Sequence, residues 1–89
     1  MQIYFYTEPG CAACTDAKEF LTSHGIRFEE RDISANPEYL RILTDELDSR
    51  TTPTLVVGDT ILVGFDQTEY ELLAATMLVK QKAAARTET

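Results

Sequence analysis

The chain has 89 residues, and its 15 acidic and eight basic side chains give it a formal net charge of −7. With 44% hydrophobic and 26% charged residues, the composition is that of an ordinary globular protein and not of a disordered or fibrous one. The length predicts one small domain. The excess of acid argues against nucleic acid as a partner, because binding to phosphate needs clustered Lys and Arg.

The apolar runs are short, and none approaches the ~20 residues that cross a bilayer. No secretory leader pattern follows Met1. We therefore expect a cytoplasmic protein that makes no membrane contact. Two cysteines in such a chain cannot form the disulfide framework of a small secreted protein.

The first half of the chain predicts a strand–helix–strand unit. Ile3–Thr7 is β-branched and aromatic, which is typical of a central strand buried on both faces. After a Pro-Gly break, apolar residues recur at three- and four-residue spacing between Cys11 and His24, which predicts a helix with one buried face. Gly25 favours the end of that helix. Ile26–Ile33 then predicts the second strand.

The second half predicts a helix and a hairpin. Asn36, followed by proline, is a favourable N-cap, and the apolar spacing after it predicts a helix that ends near Asp48. Thr54–Val57 and Ile61–Val63 flank a Gly-Asp pair, which is a two-residue hairpin signal. These two segments therefore predict a pair of antiparallel strands.

A last helix and a tail complete the chain. Asp66 with Glu69 three residues later resembles a capping box and opens the helix. Residues 80–89 lose the apolar stripe, so we expect a domain of residues 1–79 followed by a frayed or disordered tail. The order β-α-β-α-β-β-α implies parallel pairing within the strand–helix–strand unit and antiparallel pairing in the hairpin. The sequence thus predicts a four-stranded mixed sheet with helices on both faces, which is the architecture of the thioredoxin fold.

Both cysteines fall at the start of the first predicted helix. Unpaired backbone N–H groups and the positive end of the helix dipole favour a thiolate at Cys11. Cys14 lies nearly one turn later on the same side, close enough to form a disulfide with Cys11. An exposed thiolate of low pKa attacks a substrate disulfide, and a neighbouring thiol resolves the mixed disulfide. We therefore expect Cys11 to be the nucleophile and Cys14 the resolving cysteine.

A metal site is the main alternative use of this pair. Tetrahedral zinc needs four ligands, and the chain has neither a second Cys-x-x-Cys nor a pair of histidines. His24, the only histidine, falls on the apolar side of the predicted helix, where we expect a core or boundary residue. We therefore expect no metal held within one chain. An iron–sulfur cluster that bridges two chains through Cys11 stays open.

Taken together, the motifs resemble the glutaredoxin family. Cys-x-x-Cys follows the first strand, Arg-Thr-x-Pro precedes the third, ERDIS lies at the second, and a turn with glycine precedes the acid-capped last helix. The resemblance extends over about residues 2–79. It implies a monomeric dithiol–disulfide oxidoreductase without a tightly bound cofactor. Its substrates would be disulfide-containing proteins or glutathione mixed disulfides, with glutathione as a co-substrate.

The resemblance also implies a groove for the substrate. Pro53 would be cis and packed beside the two cysteines, so that the backbone of Thr52 pairs with the bound thiol substrate like a short added strand. Gly64, Phe65 and Asp66 would line the groove. The turn and the helix N-terminus would hold the carboxylate and amine of glutathione or of a substrate peptide.

Departures from the family pattern bear on the electron donor. Glutaredoxins usually carry Lys where Glu8 stands, and a carboxylate there opposes a thiolate. They also carry Pro-Tyr where Ala12-Ala13 stands and commonly Gly where Val63 stands. Gly64-Phe65 resembles the redoxins that serve ribonucleotide reductase and are recharged by thioredoxin reductase. Glutathione and thioredoxin reductase both stay open as the electron source, and a thioredoxin-fold adaptor of weak redox activity is a third interpretation.

Overall fold

The computed structural model describes the backbone of residues 2–88 and the side chains of residues 2–77. Strands and helices follow the predicted order, and the second helix continues into a π-helical segment. The elements are β1 (Ile3–Thr7), α1 (Ala12–Ser23), β2 (Glu29–Asp32), α2 (Pro37–Arg41), the π-helical segment (Ile42–Glu46), β3 (Thr54–Val57), β4 (Thr60–Val63) and α3 (Gln67–Glu88).

The strands form one four-stranded sheet in the spatial order β2-β1-β3-β4. Strands β1 and β2 are parallel, whereas β3 is antiparallel to both β1 and β4. In this register Tyr6 at the end of β1 stands opposite Thr54 at the start of β3, and Thr7 stands beside Asp32 of β2. The loop after β1 and the loop before β3 therefore lie at the same end of the sheet. The predicted mixed sheet and the thioredoxin fold are confirmed.

The main core lies between one face of the sheet and the helices α1 and α3. Successive strand residues point to opposite faces, so alternate residues of β1 enter this core. Burial of each larger apolar side chain contributes about 1.5–3 kcal/mol. This packing holds α1 against the sheet and so sets the position of its N-terminus. The buried members are Ile3, Phe5, Ala17, Leu21, Leu55, Val57 and Tyr70.

The second face of the sheet is covered in part by α2 and the π-helical segment, whose Leu43 is buried. The guanidinium of Arg31 lies 4.0 Å from the centre of the Tyr4 ring and 5.2 Å from that of Tyr39. It also donates a hydrogen bond of 2.8 Å to the hydroxyl of Tyr6. These contacts join β1, β2 and α2, so helices lie on both faces as predicted.

Strand β2 is shorter than predicted, Glu29–Asp32 instead of Ile26–Ile33. The N–H of Ile26 donates to the carbonyl of Leu21 at 2.9 Å, and Gly25 takes a φ of +67°. This is the Schellman arrangement that ends α1. The backbone N–H of residue 26 is therefore bonded to the end of α1, and this residue does not pair with β1.

Two further local predictions need correction. The second helix ends near Asp48 as predicted, but its last part is π-helical, with the N–H of Leu47 donating to the carbonyl of Ile42 at 3.0 Å. The predicted core or boundary position of His24 is wrong. His24 is the exposed C-cap of α1, and its Nδ1 lies 2.9 Å from the carbonyl oxygen of Phe20.

Helix α3 begins after Asp66, whose carboxylate accepts the N–H of Glu69 at 3.2 Å, so the predicted cap is confirmed. The expected domain end at residue 79 and the frayed tail of residues 80–89 fall where side chains lie outside the described part of the chain. Both stay predictions. In the described residues, no helix combines the length and the apolar character needed to cross a membrane.

Candidate active site

Cys11 is the N-cap of α1, as the sequence predicted. Its backbone is extended (φ −94°, ψ 108°), and its Sγ accepts the backbone N–H of Cys14 at 3.1 Å. A helix start leaves several N–H groups without a partner, and an N-cap side chain normally satisfies one of them. Here the acceptor is the sulfur of Cys11. The free N–H groups at the start of α1 therefore also stabilise negative charge on that sulfur.

The two thiols are free and have opposite environments. At Cys11, burial opposes ionisation, but hydrogen bonds from the side chain and backbone of Cys14 and from Thr52 outweigh it. They lower the pKa of Cys11 below its ordinary value, against the opposing charge of Glu8. Cys14 is buried, and burial together with its hydrogen bond to Cys11 raises its pKa. Cys11 is thus the more acidic of the two thiols and Cys14 the less acidic.

The loop before β3 lies directly against Cys11. The Thr52–Pro53 peptide bond is cis, as the family resemblance implied. The Cys11 thiol lies 3.6 Å from the carbonyl oxygen of Thr52, and the Thr52 hydroxyl oxygen lies 3.8 Å from the same sulfur. The structure therefore brings the predicted residues Cys11, Cys14, Thr52 and Pro53 together, although 41 residues separate Cys11 from Thr52.

The turn before α3 joins this group through its backbone. Gly64, with a φ of +77°, donates its N–H to the carbonyl of Pro53 at 2.8 Å. Phe65 is half-buried, and its ring centre lies 4.8 Å from that of Tyr70. The Asp66 carboxylate is exposed and caps α3. Gly64 is therefore adjacent to the loop of Thr52 and Pro53, whereas Phe65 packs on an aromatic neighbour and Asp66 already has a structural partner.

Sequence reasoning missed the residues that hold the Thr52 loop. The buried Thr54 hydroxyl donates to the carbonyl of Thr51 at 2.6 Å and lies 2.9 Å from the hydroxyl of Ser49. Ser49 in turn accepts the N–H of Thr51 at 3.3 Å. This network closes the turn that presents Thr52 to Cys11. The hydroxyl-rich run RTTPT was the available signal, but it did not indicate which hydroxyl faces inward.

An acidic cleft of about 210 Å³ opens beside the cysteines, between the ends of β1 and β2. Its wall includes both sulfur-bearing residues and the carboxylates of Glu8, Glu30 and Asp32. Lys18 is the one basic residue in that wall, and its Nζ is paired with Glu30 at 2.8 Å. From the sequence, only Glu8 among these charged residues was placed beside the cysteines, and Glu30 and Asp32 were noted only as part of the ERDIS motif. The others become neighbours of the cysteines because β1 and β2 are parallel and end together.

Within residues 2–77, no three side chains of the His, Cys, Asp or Glu type come together as ligands.

Comparisons with known proteins find glutaredoxins and glutaredoxin-like proteins among the relatives and solved structures. The family model described as Glutaredoxin matches residues 3–62. The Gene 56 protein of Mycobacterium phage L5 is 42% identical over 55 residues, a match that covers 62% of this chain and 52% of the phage protein. The chain thus spans about half the length of that relative.

Two solved structures have the same fold over most of the chain. The thioredoxin-like protein BC3987 superposes with a TM-score of 0.78 at 32% identity, covering 81% of this chain and 99% of that one. The glutaredoxin-like protein NrdH-redoxin from Escherichia coli superposes with a TM-score of 0.69 at 29% identity, covering 74% of this chain and 86% of that one. Because the family model accounts for more than half of the residues and for both cysteines, the chain belongs to the glutaredoxin family.

Proposed function

We propose that this protein reduces disulfides by a two-cysteine mechanism, with Cys11 as the nucleophile and Cys14 as the resolving thiol. The observation that carries the proposal is the position of the Cys11 sulfur. It accepts the N–H of Cys14, which lies in the first turn of α1, and is partly exposed, while the Cys14 thiol is buried. A low-pKa, accessible sulfur next to a second thiol is the requirement for disulfide exchange.

The first step is attack by the Cys11 thiolate on one sulfur of the substrate disulfide. A bond forms between Cys11 and that sulfur, and the other sulfur leaves as a thiolate that takes up a proton. The negative charge on Cys11 is then gone. The hydrogen bond that holds the Cys14 proton toward Cys11, one of the causes that raise the pKa of Cys14, is lost with it.

In the second step Cys14 gives up its proton and attacks the sulfur of Cys11. The bond between Cys11 and the substrate breaks, the second substrate sulfur leaves as a thiolate that takes up the proton released by Cys14, and a Cys11–Cys14 disulfide remains. Two electrons have passed from the protein dithiol to the substrate. No cofactor takes part, because thiol–disulfide exchange transfers electrons within the bonds that form and break.

The substrate would lie along the loop formed by Thr52 and Pro53. An extended substrate segment can pair with the backbone of Thr52, in the manner of a strand added to a sheet edge. Gly64 supports this location, since its N–H bonds to the carbonyl of Pro53 at 2.8 Å. Phe65 and Asp66, which follow Gly64, are proposed as the far wall of the groove.

Disulfide-containing proteins are the proposed substrates, and thioredoxin reductase is the proposed electron source. The likeness to NrdH-redoxin from Escherichia coli supports the latter, because that protein is described as having a thioredoxin-like activity profile. With thioredoxin reductase as the source, ribonucleotide reductase is the proposed partner that receives the electrons. Glutathione is the alternative reductant. The proposed location is the cytoplasm, where thiols of this kind are kept reduced.

Serine variants of the two cysteines test the mechanism. Cys14→Ser should accumulate a mixed disulfide on Cys11, seen as an added substrate mass that dithiothreitol removes. Cys11→Ser should reduce no disulfide. Ala13→Ser is the matched control, because it adds a hydroxyl between the cysteines and leaves both thiols. An active Cys11→Ser variant would overturn the proposal.

A coupled assay tests the electron source. The oxidised protein is given NADPH with thioredoxin reductase, or NADPH with glutathione and glutathione reductase. Faster reduction in the first assay supports the proposal, and faster reduction in the second assigns glutathione. A brown protein with visible absorption after anaerobic purification would point instead to a cluster shared by two chains.

A further inference from the structure

The hydroxyl of Thr52 has two acceptors in reach for a single proton. Its oxygen lies 2.6 Å from Oε1 of Glu8 and 3.8 Å from Sγ of Cys11. A hydroxyl donates one hydrogen bond, and 2.6 Å is the length of a strong bond to an ionised carboxylate. The proton of Thr52 therefore points mainly to Glu8, and the longer contact with the Cys11 sulfur is the weaker of its two hydrogen bonds.

Glu8 also acts on Cys11 through its charge. The carboxylate opposes ionisation of the Cys11 thiol. Around it, the cleft contains the carboxylates of Glu30 and Asp32, and Lys18 is engaged by Glu30 at 2.8 Å. Within the described wall of the cleft, the charge that a substrate meets next to the sulfur is therefore negative. Such a field attracts a cation and repels an anion over a few ångströms.

We propose that Glu8 determines substrate specificity by selecting disulfides that carry a positive charge beside the reactive sulfur. The cationic group pairs with the Glu8 carboxylate, and the Thr52 hydroxyl is then free to turn to the Cys11 thiolate. The same charge disfavours glutathione disulfide, whose carboxylates outnumber its ammonium groups. The inference rests on the proposed disulfide reduction and names its substrate class, which is a basic segment around the target disulfide.

Three small disulfides of different charge test the selection: cystamine (cationic), 2-hydroxyethyl disulfide (neutral) and 3,3′-dithiodipropionate (anionic). The fully reduced protein is mixed with an excess of each, quenched with acid, and its oxidised fraction is counted by mass spectrometry. No reductase is needed. Each rate constant is divided by that of dithiothreitol with the same disulfide, which removes differences in intrinsic reactivity.

We expect the normalised rate to be highest for cystamine and lowest for the anionic disulfide. In Glu8→Gln the ratio between these two should fall about 5-fold, the size of one good surface ion pair. Glu8→Lys should reverse the order. Asp59→Asn is the matched control, because it removes an equal charge from the hairpin turn at the opposite end of the sheet, and it should leave the ratio unchanged.

The link through Thr52 is tested by the pH dependence of Cys11 alkylation with iodoacetamide, a neutral reagent. In Glu8→Ala the reaction should reach its half-maximal rate at lower pH than in the wild type. In a Thr52→Val background, the same Glu8→Ala change should have a clearly smaller effect, because no hydroxyl is left to be released. Equal effects in both backgrounds would overturn the role of Thr52.

The outcomes separate the inference from the function on which it rests. If none of the three disulfides oxidises the wild-type protein, disulfide reduction itself is wrong. If all three do so at equal normalised rates, or if Glu8→Gln leaves their ratio unchanged, the function stands and the selection by Glu8 is wrong.

Discussion

The Sγ atom of Cys11 accepts the backbone N–H of Cys14 at 3.1 Å. Because the acceptor is a sulfur at a helix start, one contact both caps α1 and stabilises a thiolate. The same three-residue spacing buries the Cys14 thiol in the helix side that faces the sheet. The helix start thus gives two chemically equal residues unequal acidity, which is what the two successive steps of disulfide exchange require.

Alkylation with iodoacetamide should distinguish the two thiols. The pKa of Cys11 is lowered from the ordinary 9.0, so its thiolate, and with it the alkylation rate, should reach half of the maximum below pH 9.0. The pKa of Cys14 is raised and its side chain is buried, so it should react later and only at higher pH. Peptide mapping by mass spectrometry at each pH measures both. In urea-unfolded protein the two should react alike, and equal reaction in the folded protein would contradict the assigned environments.

Replacing Thr54 by Val should destabilise the protein and weaken disulfide reduction together. The change removes a buried hydroxyl that donates to Thr51 at 2.6 Å and contacts Ser49 at 2.9 Å, so the turn loses two hydrogen bonds. Such a loss costs about 1–3 kcal/mol. Urea unfolding measures the stability, and kcat/KM should fall because the loop that presents Thr52 loosens. Thr60→Val, at an exposed strand position, is the control and should change neither quantity.

Tyr70→Phe should stabilise the protein. The Tyr70 hydroxyl is buried and finds no hydrogen-bond partner among the side chains and backbone groups of the described residues. Removing an unpaired buried hydroxyl relieves a desolvation cost of about 1 kcal/mol. Tyr6→Phe is the matched opposite case, because the Tyr6 hydroxyl accepts from Arg31 at 2.8 Å and its loss should destabilise. Urea midpoints that move in the same direction for both variants would contradict this account.

Alkaline pH should widen the difference between Tyr70→Phe and the wild type. Burial raises the pKa of Tyr70 above the ordinary 10.0, so the folded protein keeps a proton that the unfolded chain releases. Ionisation of Tyr70 therefore leaves the free energy of unfolding of the wild type unchanged below pH 10.0. It lowers this free energy as the pH rises from 10.0 toward the pKa of Tyr70 in the folded protein. Urea unfolding of both proteins at pH 8 and above pH 10 measures the effect. A constant difference across that range would show that Tyr70 ionises equally in both states.

Asp66 variants should separate helix capping from substrate binding. The Asp66 carboxylate accepts the N–H of Glu69, and loss of an N-cap costs about 1 kcal/mol. Asp66→Ala should therefore lower the free energy of unfolding, whereas Asp66→Asn, which keeps a capping oxygen, should hardly change it. If the charge of Asp66 also binds substrate, the KM should rise in both variants. A KM that rises only in Asp66→Ala would show that Asp66 caps the helix and that its charge does not bind the substrate.

Much of the fold could be predicted because its signals are local. The strand at Ile3–Thr7, the cap at Asn36 and the turn between β3 and β4 each depend on residues within a few positions of one another. The predicted bounds of an element were wrong where its backbone groups form hydrogen bonds with a neighbouring element. The N–H of Ile26 donates to the carbonyl of Leu21 at the end of α1, so the second strand begins later than predicted.

The sequence by itself determined that two thiols stand at the start of a helix, since their spacing and the break before them are matters of adjacent residues. Only the tertiary structure decided what surrounds those thiols. Glu8 and Thr52 are 44 positions apart, and they meet because β1 and β3 are antiparallel neighbours and their loops share one end of the sheet. Glu30 and Asp32 lie in the cleft because β2 is parallel to β1 and the two strands end side by side. Hydrogen bonds and charges act over a few ångströms, so the acidity of Cys11 depends on which distant residues the strand pairing places beside it.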